Sequence, residues 1–373
     1  MHPISVMLKP ASSACNLRCK YCFYADEATL RTTASYGIMS YETLENCIAL
    51  CMRSATGSCN FAFQGGEPTL AGLDFFRTVV ALQKKYAKKG VSVTNALQTN
   101  GLLLDDDWCS FLSENQFLVG LSLDGTKENH DLYRVRPDGK GSYSSVFHTA
   151  QRLEAHHVNF NILTVVTVQL ARNITKVYNF YRKNNWLYQQ YIPCMDCLEE
   201  IRGTQNYSLT PDDYSKFLMK LFDLWYQDLT RGFYVSIRYF DNLLRILHGL
   251  PPESCAMCGH CNIQYLVEAD GSVFPCDFYA LDPYLLGNVN RNTLEEIDAQ
   301  RKAIHFIEDS ISLTQACKEC PWFFLCKGGC RRDYKHTHDQ KAHNYYCKSF
   351  QSFFEYAYPR LLNAHQLTSK GFI

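Results

Sequence analysis

A chain of 373 residues carrying 37 Lys and Arg against 37 Asp and Glu has room for two or three domains, each with a full core, and no net field to attract a polyanion. It contains no basic block, which removes the electrostatic support for a nucleic-acid or membrane-surface partner. The first thirty residues lack a basic segment followed by an apolar one, and no window approaches eighteen apolar residues. Neither a secretory signal nor a membrane span is therefore expected, and the expected compartment is the cytoplasm.

Taken in order, residues 4–9 form a short apolar strand that enters a Cys-rich loop, and 41–53 have helical spacing through Leu44, Ile48 and Met52. A strand follows at 60–63, an amphipathic helix at 73–88, a strand at 92–98, a helix opened by acidic residues at 105–115, and a strand at 117–123. After a polar, Gly-rich stretch at 125–142 come a helix at 143–156, a strand at 159–167, a helix at 173–184 and a strand at 188–193. Six strands joined by helical crossovers imply a parallel sheet, here an α/β partial (β/α)6 TIM-like barrel, with its chemistry expected at the C-terminal strand ends. Composition shifts near residue 236, dividing the chain into 1–235 and 236–373. Late in the second part, Phe350, Phe353, Phe354 and Ala357 have helical spacing, read as a helix packed on that domain.

The eighteen cysteines decide the rest. In a chain without an export signal they are metal ligands or small buried hydrophobes, not disulfides. Three lie in Cys15-x3-Cys19-x2-Cys22 and nine between Cys255 and Cys347. Cys47, Cys51, Cys59, Cys109, Cys194 and Cys197 are scattered between. Three thiolates on a loop cannot close the four-ligand shell of structural zinc without help from elsewhere, but they can hold a [4Fe-4S] cube with one iron open. With the aromatic pair Phe23 and Tyr24 behind it, this run resembles the signature of the radical S-adenosylmethionine (SAM) enzymes.

Gln64-Gly65-Gly66-Glu67-Pro68 follows the second strand. It reads either as a strand-to-helix turn or as the Gly-Gly-Glu motif that, by the resemblance, holds the SAM amino group. Glycines there admit close backbone approach, and a fixed carboxylate can accept from an ammonium group. Thr99-Asn100-Gly101 and Ser122-Leu123-Asp124-Gly125 end the next two strands and are ordinary turns if taken alone. The resemblance further implies SAM contacts at Tyr21 (through its backbone), Gly65, Gly66, Ser122, Arg134 and Met195. Arg134 can fork onto the SAM carboxylate or be a solvated loop charge.

In the second part, Cys261-x9-Gly271-x4-Cys276, then Cys317-x2-Cys320-x5-Cys326-x3-Cys330, then Cys347, resemble the SPASM domain of radical SAM enzymes that modify peptides and proteins. The resemblance implies one auxiliary [4Fe-4S] cluster on Cys255, Cys261, Cys276 and Cys330 and a second on Cys317, Cys320, Cys326 and Cys347. With the first this makes three clusters. Two zinc ribbons would also use eight cysteines. Cys258 is surplus, a spare thiol or a competing ligand, and Cys194-x2-Cys197 reads as burial before a redox pair. A cluster with four thiolates cannot coordinate substrate, so it reads as an electron carrier.

Cys276-Asp277-Phe278-Tyr279, Phe63–Gly72, Lys327–Arg332 and Ser236–Asp241 are similar over nearly the whole chain to the anaerobic sulfatase-maturating enzymes. That resemblance implies oxidation of an active-site Cys or Ser of a sulfatase polypeptide to Cα-formylglycine. Asp277 would be the general base, where the plainer reading is a cap on the next turn. Tyr24 and Gln64 would meet the target peptide, and a ferredoxin or flavodoxin would supply electrons to a monomeric enzyme. Two other readings remain at this point. One is a SPASM maturase that crosslinks a ribosomal peptide, less favoured because the cluster loop begins by residue 15 with no leader-gripping domain before it. The other is a non-enzymatic iron-sulfur or zinc protein.

Overall fold

The structure is a computed structural model that describes residues 3–311, 314–334 and 343–369. Its strands, in chain order, are β1 (Ile4–Leu8), β2 (Gly57–Phe63), β3 (Val91–Thr99), β4 (Leu118–Ser122), β5 (Phe160–Val166), β6 (Tyr188–Pro193), β7 (Ser236–Ile237), β8 (Tyr265–Val267), β9 (Ser272–Phe274) and β10 (Gly287–Asn288). The chain forms two compact units. One comprises residues 1–123, 130–161 and 263–306, the other 124–129, 162–262 and 307–373.

In the first unit the strands run in the order β10-β9-β8-β1-β2-β3-β4. Strands β1 to β4 pair in parallel with Ile4 opposite Cys59, Gly57 opposite Val91 and Ala96 opposite Leu118. The crossovers are helices because their apolar residues recur at i and i+4. Leu44, Ile48 and Met52 are buried on Tyr41–Ser54, whose first turn is closed by Ser40 accepting from the Thr43 amide. Asp105 caps Asp106–Glu114 in the same way. Alternate strand residues and the helix faces meet in an aromatic core where Phe63 lies 5.0 Å from Phe76, and Phe76 lies 5.2 Å from Trp108. The hairpin of β8 and β9, followed by antiparallel β10, extends this sheet, with β8 parallel to β1 and Met7 opposite Leu266. Its three-residue strands were not expected from the sequence.

In the second unit β5, β6 and β7 are parallel, with Ile162 opposite Gln189 and Tyr188 opposite Ser236. Its largest core joins the helix Pro211–Thr230 to the helix Cys347–Thr368. Tyr214 stands 4.7 Å from Tyr346, and Phe222 stands 5.8 Å from Phe353. The late aromatic helix thus forms as expected and packs through Phe353, Phe354 and Ala357, but it is longer at both ends. Among the described residues no helix is long and apolar enough to cross a membrane.

Candidate active site and cluster-binding loops

Strand β1 delivers the chain into the Cys15 loop, where the Lys9 amide still donates to Val267 and successive turns bond Ser12 to Lys9 and Ala14 to Ala11. Cys22 occupies the N-cap position of the helix Phe23–Thr29, with no side-chain cap bond, so the backbone of the last of the three cysteines is set by the start of that helix. All three are half-buried. Burial pushes the Cys15 thiol up to about 11, and the neighbouring charges of Glu67 and Cys22 add to this. A thiol in that state becomes a thiolate only against a strong positive centre, so this donor set fits an iron-sulfur cluster.

The Gly-Gly-Glu turn is wired to that loop. The Gln64 amide donates to Leu8, and the Glu67 amide donates to Ala14 at 2.8 Å. Gly65 and Gly66 have φ of +88° and +54°. A Cβ at Gly66 would lie 2.3 Å from the Ala14 carbonyl oxygen, and one at Gly65 would lie 2.3 Å from Lys9 Cε. The glycines therefore admit the Cys loop and the Lys9 stem. Glu67 is buried. Its Oε1 accepts from the Thr69 amide, the Thr69 hydroxyl and the Thr99 hydroxyl, and its Oε2 accepts from the Asn100 amide at 2.8 Å. Burial pushes this carboxyl up against those donors. The residue locks the ends of β2 and β3 together and keeps acceptor capacity on Oε2.

Ser122 accepts from Gln98 Nε2 at 3.0 Å, and Gly120 is what lets Gln98 lie there, since a Cβ would meet its Oε1 at 2.1 Å. Arg134 is buried, with its guanidinium 5.5 Å from the Tyr21 ring centre. The solvated-charge reading of Arg134 is thereby corrected. Tyr21 is itself buried, 6.0 Å from Tyr133. Met195, in the second unit, is half-buried between buried Cys194 and Asp196.

A second polar cluster of the first unit surrounds Asp277, which follows half-buried Cys276. Its Oδ2 accepts from the Tyr24 hydroxyl at 2.6 Å and from Gln64 Nε2 at 3.1 Å. Its Oδ1 is buried with no hydrogen-bond partner among the described residues. Burial raises the carboxyl, opposed by the positive charge of Lys9 and the Tyr24 hydrogen bond. Asp277 does open a short turn at 277–279, but Cys276 holds the cap position, with no side-chain bond. Behind Tyr24 runs a chain of ions that sequence reasoning missed. Lys9 Nζ lies 4.9 Å from the Tyr24 ring centre and 3.2 Å from Glu268, which also pairs with Arg31, and all three side chains are buried. The available signal was a lysine directly behind the apolar run Ile4–Leu8.

In the second unit a cavity of about 820 Å³ carries Cys317, Cys320, Cys326 and Cys347 in its wall. Burial pushes the Cys326 thiol up to about 12, and the other three thiols add to it. Four thiols bordering one cavity fit a fully ligated cluster. Cys330 is raised strongly by burial and also feels Cys255 and Cys261, while the Cys261 amide donates to Ser310. Cys258 turns its thiol to the Ser254 carbonyl at 3.5 Å. Cys47, Cys51, Cys59, Cys109 and Cys194 are fully buried, the small-hydrophobe population expected of them.

Residues 10–180 match the radical SAM superfamily, and 255–321 match the iron-sulfur cluster-binding SPASM domain. The chain is 50% identical over 365 residues to the cysteine-type anaerobic sulfatase-maturating enzyme of Clostridium perfringens, spanning 97% of this chain and 98% of that one. It is 33% identical to the serine-type enzyme of Bacteroides thetaiotaomicron over 96% and 90% of the two chains. Against the solved structure of native anSMEcpe with bound AdoMet and Cp18Cys peptide it has a TM-score of 0.93 at 49% identity, covering 98% and 99%. These findings define a radical SAM enzyme with a SPASM domain, using SAM and [4Fe-4S] clusters, and they set aside the non-enzymatic and zinc readings. Within that class the chain belongs to the anaerobic sulfatase-maturating enzyme family.

Proposed function

We propose that this enzyme oxidises an active-site cysteine of a sulfatase polypeptide to Cα-formylglycine, with cysteine rather than serine as its natural target. The observation that carries the reading is the Asp277 carboxylate, buried directly beside Cys276 with Oδ2 held by Tyr24 and Gln64 and Oδ1 open to a proton. Identity of 50% to a cysteine-type relative against 33% to a serine-type one supports the choice of target. When bound, the cofactors would supply radical hydrogen-atom abstraction at the target Cβ and an acceptor for the second electron.

The chain's own part is to hold and deprotonate. Cys15, Cys19 and Cys22 hold the SAM cluster. Tyr21, Gly65, Gly66, Glu67, Ser122, Arg134 and Met195 bind SAM. Cys255, Cys261, Cys276 and Cys330 hold one auxiliary cluster, and Cys317, Cys320, Cys326 and Cys347 the other. Asp277 Oδ1 takes the target thiol proton, oriented by the two donors on Oδ2, and Tyr24 and Gln64 border the target side chain. Loss of one hydrogen atom, one proton and one electron leaves a thioaldehyde, which water converts to the aldehyde with release of sulfide. Residues 1–235 carry the radical chemistry and 236–373 the auxiliary clusters. The enzyme works as a cytoplasmic monomer fed by a ferredoxin or flavodoxin.

The test is anaerobic incubation of the reconstituted protein with SAM, a strong reductant and a peptide carrying Cys-x-Pro-x-Arg, with the peptide then weighed. The expected mass is that of the aldehyde, with matching 5′-deoxyadenosine. Asp277→Asn is expected to keep SAM cleavage and to lower aldehyde formation by about 10²- to 10⁴-fold. Normal product from that variant would remove Asp277 as the base.

A further inference from the structure

We propose that Asn100 tunes the reduction potential of the SAM cluster by donating a side-chain hydrogen bond to the sulfur of Cys15. The inference rests on the reading of Cys15, Cys19 and Cys22 as that cluster's ligands. Asn100 directly follows β3 and is buried, 7% exposed. Its orientation is fixed from three sides. The backbone amide donates to Glu67 Oε2 at 2.8 Å, and Oδ1 accepts from the Leu102 amide at 3.0 Å. The amide nitrogen is thereby turned toward the Cys loop, where Nδ2 donates to Asn16 Oδ1 at 2.7 Å and faces Cys15 Sγ at 3.9 Å. Each of its two hydrogens has one acceptor.

Cys15 also accepts from the Leu17 amide at 3.4 Å, so two N–H groups converge on one ligand sulfur. A donor on a ligating thiolate withdraws charge from it and favours the more negative, reduced cluster, which raises the potential. The Leu17 donor belongs to the backbone and is common to any residue there, whereas the Asn100 donor is a side chain that the sequence chose. Aspartate of the same shape would face the sulfur with an acceptor, and serine would fall short of it. Through its Oε2, Glu67 holds the Asn100 backbone from which this donor extends, joining the Gly-Gly-Glu turn to the cluster loop.

The test compares the holoenzyme with Asn100→Leu, Asn100→Asp and Asn16→Ala, each reconstituted anaerobically. Iron content, the electron paramagnetic resonance signal that responds to added SAM, and the midpoint of that signal in a redox titration are measured. Both Asn100 variants are expected to retain iron and the SAM-responsive signal but to titrate lower. At fixed solution potential their ratio of reduced to oxidised cluster should fall about tenfold, equal to about 59 mV for one electron. Asn16→Ala, which removes the loop partner and leaves the sulfur donor, is expected to titrate with the wild type. Equal shifts in all three variants, no shift in any, or loss of the cluster from both Asn100 variants would overturn the proposal, because Asn100 would then only hold the loop. Absence of a SAM-responsive signal from the wild-type protein would instead fail the ligand reading beneath it.

Discussion

Replacing Gly66 by Ala tests whether the Gly-Gly-Glu turn serves the Cys loop. At φ +54° an L-residue costs about 1–2 kcal/mol. The added Cβ would stand 2.3 Å from the Ala14 oxygen and 2.7 Å from that of Ser12, where real contacts hold to at least 3.0 Å. Both neighbours are backbone and cannot swing aside, so the loop must retreat by about 0.7 Å, measured against that limit. Overpacking of this kind costs about 1–3 kcal/mol, for a total near 2–5 kcal/mol that a domain of ordinary stability survives. The loop that retreats carries Cys15, and a misplacement approaching 1 Å beside reacting groups costs about 10²-fold in rate. Gly72 is the control, with φ +84° and nothing within 4 Å of its Cβ. Gly72→Ala should show backbone strain alone. Urea midpoints and 5′-deoxyadenosine formation per bound iron, measured at equal cluster loading, separate the two variants. If Gly66→Ala unfolded with Gly72→Ala and cleaved SAM at the wild-type rate, the reasoning would be refuted.

Burial alone would push the Glu268 carboxyl up, but Lys9 and Arg31 outweigh it and hold the group below the ordinary glutamate range. A carboxyl depressed in the folded state contributes stability that is complete above its unfolded pKa of about 4.3 and lost as pH falls through the folded value. Glu268→Gln is therefore expected to destabilise the protein by about 3–5 kcal/mol at neutral pH and to flatten the acid limb of its stability profile; an unchanged acid limb in urea denaturation would contradict this. Cys258→Ser should retain full iron, because the thiol is turned to the Ser254 carbonyl, whereas Cys255→Ser should lose about four irons per chain. Equal iron in the two variants would make Cys258 a ligand.

The alternation of strands and helices was legible because each crossover buries one face and each strand is bounded by turn residues. The expected strand 188–193 and helix 143–156 lie within a residue of Tyr188–Pro193 and Tyr143–Ala155. The cysteine runs were legible because ligands on one loop must be close in sequence. What escaped is what depends on residues far apart in sequence. Lys9, Arg31 and Glu268 meet only because β8 pairs with β1, and three-residue strands carry no periodicity to announce themselves. For Arg134 the sequence left a SAM-carboxylate partner and a solvated loop charge both open, because nothing local shows that its guanidinium lies over the Tyr21 ring. The glycines of the Gly-Gly-Glu turn were noticed for their missing Cβ, and one neighbour that needs the space is the chain itself.

That last contact bears on how the site is built. Gly66 receives the backbone of the Cys loop, Glu67 binds that loop through its amide and the end of β3 through its carboxylate, and Asn100 returns from β3 to Cys15 and Asn16. Three segments separated by some thirty to fifty residues thus close into one ring of hydrogen bonds around the first cluster ligand. Where the ring is buried, at Glu67 and Asn100, an unpaired polar group costs about 1–3 kcal/mol, which couples its members. The Cys loop has no regular structure of its own between Lys9 and Cys22, and the ring supplies the rigidity that a helix or strand would otherwise give to a site needing sub-ångström placement. The sheet therefore positions the cluster loop indirectly, through one glutamate and one asparagine at the C-terminal ends of two adjacent parallel strands.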